Sequence, residues 1–250
     1  MATTAIPTLP QLADYRLKDL LSADLGLSDV FYRHGLDFCC HGHQTLAQAV
    51  EGAHVSLQTV VNDIERHRVM GSQRLLGVEE WPLPFLAEYI ERVHHVFTRR
   101  LIADLTPALA RVLQKHSATY PQLDRIADLY AALVAELQPH MLKEEKVLFA
   151  YIRNRPSPLS PETVPAPIRM MMAEHDVAGG LLYQLADLTH QFTPPPNACQ
   201  TTQFVYRKLR ELDEDLRIHI HLENNILFPQ VLAAESARLA PESVSGGTAV

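Results

Sequence analysis

The chain has 250 residues, 47% of them apolar and 20% charged, enough to bury the core of one large domain with a smaller one beside it, which excludes an intrinsically disordered protein. Its 22 basic and 29 acidic residues leave a formal charge of −7, which argues against nucleic acid as a partner. Three cysteines, two of them adjacent (Cys39 and Cys40), are too few for a disulfide framework and point to a reducing compartment. The N-terminus lacks the apolar core of a signal peptide, and no segment approaches the ~20 uninterrupted apolar residues of a membrane helix. The expectation is a soluble cytoplasmic protein with no membrane partner. Histidine is over-used: 13 residues, against 6 methionines and 8 phenylalanines, a first sign of metal chemistry.

Residues 1–72 read as a small helical domain in which short helices alternate with Gly26, Gly35, Gly42 and Gly52. Thr45-Leu-Ala-Gln48 has the spacing of a capping box and starts one helix, and another is expected from Ser56 to His67. Residues 73–82, ending in Trp81-Pro82, read as a linker. Over 83–236 four long segments carry a helical period, with no strand-like alternation.

The first long helix is expected from Leu83 to Lys115, with an apolar stripe of Leu86, Ile90, Val93, Phe97 and Leu101 and a kink at Pro107. The second spans Pro121 to Arg153, with Leu133, Leu137, Val147, Leu148 and Tyr151 inward and an irregular point at Pro139. The proline-rich run Arg155 to Pro167 reads as loop. The third helix is expected from Ile168 to Gln191, before Pro194-Pro195-Pro196, and the fourth from Gln203 to Leu232 along Leu209, Leu212, Leu216, Ile220 and Ile226. The tail, 237–250, reads as disordered. The fold class is all-α, a four-helix bundle preceded by a small helical domain.

Histidines and carboxylates fall on these stripes. His140 and Glu144 are four residues apart, about 40° round a helix and 6 Å along it. Glu145 would point away from that face. His219 and Glu223 repeat the spacing, while His221 should face solvent. His94 lies on the first stripe and His175 on the third, beside Gly179-Gly180. A single histidine on an apolar stripe is more often a hydrogen-bonded core residue than a ligand. Two buried carboxylates are harder to dismiss, because an unpaired ionised glutamate in a core is costly. Two HxxxE pairs plus one inward histidine from each remaining helix form a constellation that points to metal.

Four neutral imidazoles and two carboxylates carry a ligand charge of −2 and suit iron or manganese better than structural zinc. Six ligands are too many for one ion that must also take a substrate. If both glutamates bridge, two ions each receive four protein donors, and an oxo or hydroxo bridge leaves about one position free on each octahedral ion. Ferritin-like bundles use Glu-x-x-His instead, which the candidate ligands here do not show.

The runs His140-Met-Leu-Lys-Glu144-Glu-Lys-Val-Leu-Phe, Glu174-His175-Asp-Val-Ala-Gly and His219-Ile-His-Leu-Glu223-Asn-Asn-Ile-Leu-Phe-Pro resemble the hemerythrin-like domain of the RIC family, the di-iron iron–sulfur cluster repair proteins of YtfE/ScdA type. Gly35-Leu-Asp-Phe-Cys39-Cys40-His-Gly-His-Gln-Thr-Leu resembles their small cysteine-bearing domain, so the similarity spans about residues 14 to 232. It implies a hemerythrin-like bundle and two non-haem iron ions, oxo- and carboxylate-bridged, held by His94, His140, Glu144, His175, His219 and Glu223. It also implies damaged iron–sulfur proteins as partners and a role after nitrosative or oxidative stress. The family's usual double glycine after the cysteine pair is His41-Gly42 here, with His43 adding an imidazole. Pro139 stands just before a ligand. His94-His95 offers two imidazoles, of which the stripe favours His94.

On this reading reduction lowers the charge of the iron pair and loosens it, so the reduced site releases Fe(II) or takes nitric oxide. Cys39 and Cys40, as a low-pKa thiolate pair at a helix start, would relay iron or electrons. Packed, inert thiols are the alternative for that pair. Glu174 is expected beside His175, supporting the ligands or lining an exit path. A carrier or sensor of nitric oxide or oxygen, a nitric oxide reductase and a purely structural bundle are the competing readings, and a homodimer is compatible with all of them.

Overall fold

The computed structural model describes residues 12–70, 77–154 and 164–239. No β-strand occurs among the described residues, and the one isolated bridge pairs Arg16 with Thr45. The small domain contains α1 (Leu17–Ala23), α2 (Ser28–Arg33), α3 (Leu46–Gly52) and α4 (Leu57–Met70). Thr45 caps α3 as its sequence predicts, its side chain accepting from the Gln48 amide while Gln48 reaches back to the Thr45 amide. Leucines and Phe31 and Phe38 close this domain around its own core, which Ile220 of the bundle joins. The domain is therefore packed onto the bundle.

The bundle consists of α5 (83–116), α6 (122–154), α7 (Pro165–Leu188) and α8 (200–239). α6 packs along α7 and α5 along α8. Two apolar cores fill it. One runs through Leu105, Leu109, Leu133, Leu182 and Leu209; the other holds Leu86, Ile90, Phe149, Met171 and Phe228. The histidine and glutamate layer lies between them.

Several boundaries differ from those read off the sequence. α7 begins at Pro165, inside the expected loop, because proline is tolerated in a helix's first turn, where its missing amide has no partner to lose. α8 continues to Leu239, so residues 237–239 are helical rather than tail. The rest of the tail, 240–250, residues 155–163 of the proline-rich loop, and residues 71–76 at the junction of the small domain and the linker lie outside the described residues. At the linker's end Val78 is buried against the bundle. Both helices run through their internal prolines, Pro107 and Pro139, without a break.

The irregularity falls elsewhere. Three long helices each contain a π-helical turn: Ile90–His95 in α5, Glu144–Leu148 in α6 and Leu222–Leu227 in α8. Each π turn closes i→i+5 and so accommodates an extra residue, rotating the downstream face relative to a straight helix. This is why Val93 and Val147, expected inward, are 42% and 58% exposed. Their neighbours His94, His95 and Leu148 are buried instead.

Candidate metal centre

All three π turns meet at one level of the bundle. Two donor clusters form there, His95, Glu144, His219 and Glu223 on one side and His140, Glu144, His175 and Glu223 on the other. Within each, the donor atoms lie within 4.8 Å of one another. Both carboxylates belong to both clusters. Glu144 and Glu223 are wholly buried, and the four imidazoles are at most 3% exposed.

The spacings are those of a ligand shell. His140 Nε2 stands 2.9 Å from His175 Nε2 and 3.2 Å from Glu144 Oε1. Glu223 Oε2 and Oε1 lie 3.1 Å from His175 Nε2 and His219 Nε2, and His95 Nε2 is 3.4 Å from Glu144 Oε2. Adjacent ligands on an octahedral ion with bonds of about 2.1 Å are about 3.0 Å apart. The carboxylate oxygens of both glutamates and Nε2 of His95 and His219 make no aligned hydrogen bond. Buried polar atoms so placed, facing one point, fit a cation better than they fit each other.

The outer ring nitrogens are tied to the surroundings. Nδ1–H of His95 donates to Glu145 Oε1 at 2.8 Å, that of His140 to Glu174 Oε2 at 2.8 Å and that of His175 to Asn224 Oδ1 at 2.8 Å. Each bond turns Nε2 inward, the nitrogen that a cation would take. Arg99 holds Glu145 at 2.6 Å, and Lys143 pairs with Glu174. His219 Nδ1 has no partner.

Charge in the layer is strongly coupled. Burial and Glu223 push the Glu144 carboxyl up, but His140 and His95 outweigh them and hold it low. Burial likewise drags His140 down, yet Glu144, Glu223 and Glu174 raise it to about 9. Burial instead holds His219 below its ordinary range, so the carboxylates favour a proton on His140 in particular, and a cation would displace it.

The structure brings together five of the six residues expected as ligands, and substitutes His95 for His94. His94 is buried, but its Nδ1 donates to Asp215 at 2.9 Å and its ring stacks on His219 at 5.9 Å. It buttresses the layer from behind. The extra residue in the π turn is the reason: straight-helix counting carried from Ile90 selects the wrong member of the pair. Glu145, expected to point away, supports His95 for the same reason. Glu174, expected beside His175, reaches across to His140 on the neighbouring helix instead. His221, expected in solvent, is fully buried against Phe38 and Asn225, because the small domain covers that side of α8. Lys143, Asn224 and Asn225 were missed; the polar run after Glu223 was the available signal.

Cys39 and Cys40 lie in a bend well ahead of α3, not at a helix start. Cys39 is 2% exposed, and Cys40, burial and Asp37 push its thiol well above the ordinary range, the reverse of the expected activation. The bend is nonetheless docked at the metal layer. Asn225 Nδ2 donates to the Phe38 and Cys39 carbonyls at 3.3 and 3.2 Å. Cys40 Sγ lies 3.9 Å from the His175 carbonyl. Gly42 and Gly179 permit this approach. A Cβ on Gly42 would stand 2.7 Å from the Phe38 carbonyl oxygen, and one on Gly179 would stand 3.2 Å from Cys40 Sγ.

A helical bundle whose middle layer carries two histidine pairs sharing two buried glutamates is a cation-binding bundle of hemerythrin type. Residues 87–231 match the hemerythrin HHE cation binding domain, and residues 13–68 match a domain of unknown function, DUF542 (ScdA_N). The chain is similar over 83% of its length to the iron–sulfur cluster repair protein YtfE of Cronobacter sakazakii (34% identity, 91% of that protein). Similarity to YtfE of Escherichia coli O157:H7 is 33% over 83% of this chain and 92% of the relative, and to ScdA of Staphylococcus haemolyticus 30% over 82% and 92%. The chain belongs to the family of the ScdA and YtfE iron–sulfur cluster repair proteins, with an N-terminal ScdA_N domain and a hemerythrin domain.

Proposed function

We propose that this protein repairs damaged iron–sulfur clusters in the cytoplasm by holding two irons between His95, His140, His175 and His219, bridged by Glu144 and Glu223, and giving up ferrous iron. The observation that carries the reading is the sharing of two wholly buried carboxylates between two histidine pairs. An iron pair would supply a reducible, Lewis-acidic centre whose grip weakens as its charge falls. The chain's own groups do the rest. Glu144 and Glu223 span both positions, so both ions depend on the same two side chains. Glu145, Glu174 and Asn224 fix the orientation of three imidazoles so that Nε2 faces the ions. Glu174 is the accessible edge of the layer, its side chain 24% exposed and paired with Lys143, and can accept a proton or a departing cation. Among the described residues the layer's donors are imidazole and carboxylate only.

Metal analysis with visible spectroscopy, followed by dithionite reduction beside a ferrous chelator and an apo iron–sulfur protein, tests this. Two irons per chain, released on reduction and recovered in the acceptor protein, are expected. A second reading, a carrier or sensor of nitric oxide or oxygen, draws on a small cavity where Leu137, Ala178, Leu216 and Ile220 meet His140, His175 and His219. Irons that stay bound on reduction while taking up the gas would establish it in place of repair.

A further inference from the structure

We propose that Asp37, Cys39 and Cys40 form a second, thiolate-rich site for a single divalent cation such as Fe(II), separate from the bundle layer. The three side chains place their donor atoms within 4.8 Å of one another. The two sulfurs stand 3.8 Å apart, far from the ~2.05 Å of a disulfide and equal to the about 3.8 Å between two thiolates 2.3 Å from a tetrahedral ion. Asp37 Oδ1 completes one face. It accepts from Cys39 Sγ at 3.1 Å and from the Cys40 amide at 3.0 Å, so the backbone itself aims this oxygen at the sulfurs.

The surroundings are built as the surroundings of a metal ligand are. His41 Nδ1–H donates to the other oxygen, Asp37 Oδ2, at 2.7 Å, which fixes the carboxylate plane and keeps Oδ1 turned toward the sulfurs. Asn225 fixes the bend through the Phe38 and Cys39 carbonyls. A groove lined by Leu36, Asp37, Cys39, Gly179, Tyr183 and Arg217 opens beside the donors and supplies an entry path. Water or an incoming client thiolate takes the fourth position. Binding displaces the two thiol protons to solvent, forms two metal–sulfur bonds and one metal–oxygen bond, and moves no electrons.

Cys40 abuts the His175 backbone, so this site sits on the flank of the His140–His175 cluster. Its use as a way-station for iron leaving the bundle rests on the repair reading; its capacity to bind a cation does not.

Cobalt(II) titration of the metal-free full-length protein in a Cys199→Ser background tests the site, because near-ultraviolet charge transfer to cobalt arises from thiolate and not from imidazole or carboxylate. One thiolate-bound cobalt per chain is expected. The band should vanish in Cys39→Ser and in Cys40→Ser. Asp37→Asn, which keeps the oxygen that accepts from the Cys40 amide, should weaken that cobalt at least tenfold. The band should persist in the Glu144→Ala/Glu223→Ala double variant, which disables the bundle layer. No band in the parent, or undiminished affinity in Asp37→Asn, overturns the proposal. A band that survives while the bundle releases no iron on reduction keeps the site and removes its role in repair.

Discussion

Removing the imidazole of His95 should empty half of the bundle site, whereas removing its neighbour His94 should not. His95 supplies one of four donors to its cluster, and its Nε2 has no hydrogen-bonding partner to which it could otherwise be assigned. Four-ligand protein sites bind with about 10–16 kcal/mol, so one ligand accounts for about 2.5–4 kcal/mol. That corresponds to about 10²–10³-fold in affinity at 1.4 kcal/mol per decade. His94 meets the layer only by stacking on His219 and by its bond to Asp215, and its loss should weaken metal by about tenfold, the lower end for a supporting residue. The assay is metal stoichiometry of His95→Ala and His94→Ala after dialysis against a chelator that leaves the parent at two ions per chain, with thermal melts to show that both variants are folded. His95→Ala is expected to keep one ion and His94→Ala two. The opposite pattern would refute the assignment, and with it the claim that the π turn at Ile90–His95 sets the register.

Because Glu144 and Glu223 are each shared, Glu144→Ala should lose both ions together; stepwise loss of only one would contradict bridging. Metal uptake should release protons below about pH 9, since His140 must shed the proton that its carboxylate neighbours stabilise. Affinity should therefore rise by up to about a decade per pH unit from neutral pH toward 9 and flatten above it, and calorimetry in buffers of different ionisation enthalpy counts the protons. Cys199 sits at the start of α8, where the Thr202 side chain and amide, together with His116 at 3.3 Å, lower its thiol to about 6. At pH 7 it should alkylate far faster than buried Cys39, with a half-maximal rate near pH 6; a fast phase that survives Cys199→Ser would disprove this. Gly42→Ala should push the cysteine bend off α8 at a cost of about 1–3 kcal/mol, seen as a lowered melting temperature.

Local chemistry made much of this protein legible in one dimension. The HxxxE spacing follows from the helical repeat alone, so His140 with Glu144 and His219 with Glu223 could be paired without any tertiary information. The capping box at Thr45 and the four long amphipathic segments are equally local. So is the argument that buried, unpaired glutamates need a cation. What could not be read were the positions that depend on departures from the ideal helix or on a neighbouring element. The three π turns exchange His94 for His95, bring Glu145 onto the site and turn Val93 and Val147 outward, because one extra residue per turn rotates everything beyond it. His221 is buried only because the small domain lies over α8, a fact carried by contacts distant in sequence. The cysteine pair shows the division most clearly. Its adjacency was visible at once, but tertiary packing decided its state, setting Asp37 beside both sulfurs, burying Cys39, laying the bend against α8 through Asn225 and Gly42 and bringing Cys40 against Gly179 on the helix that carries His175.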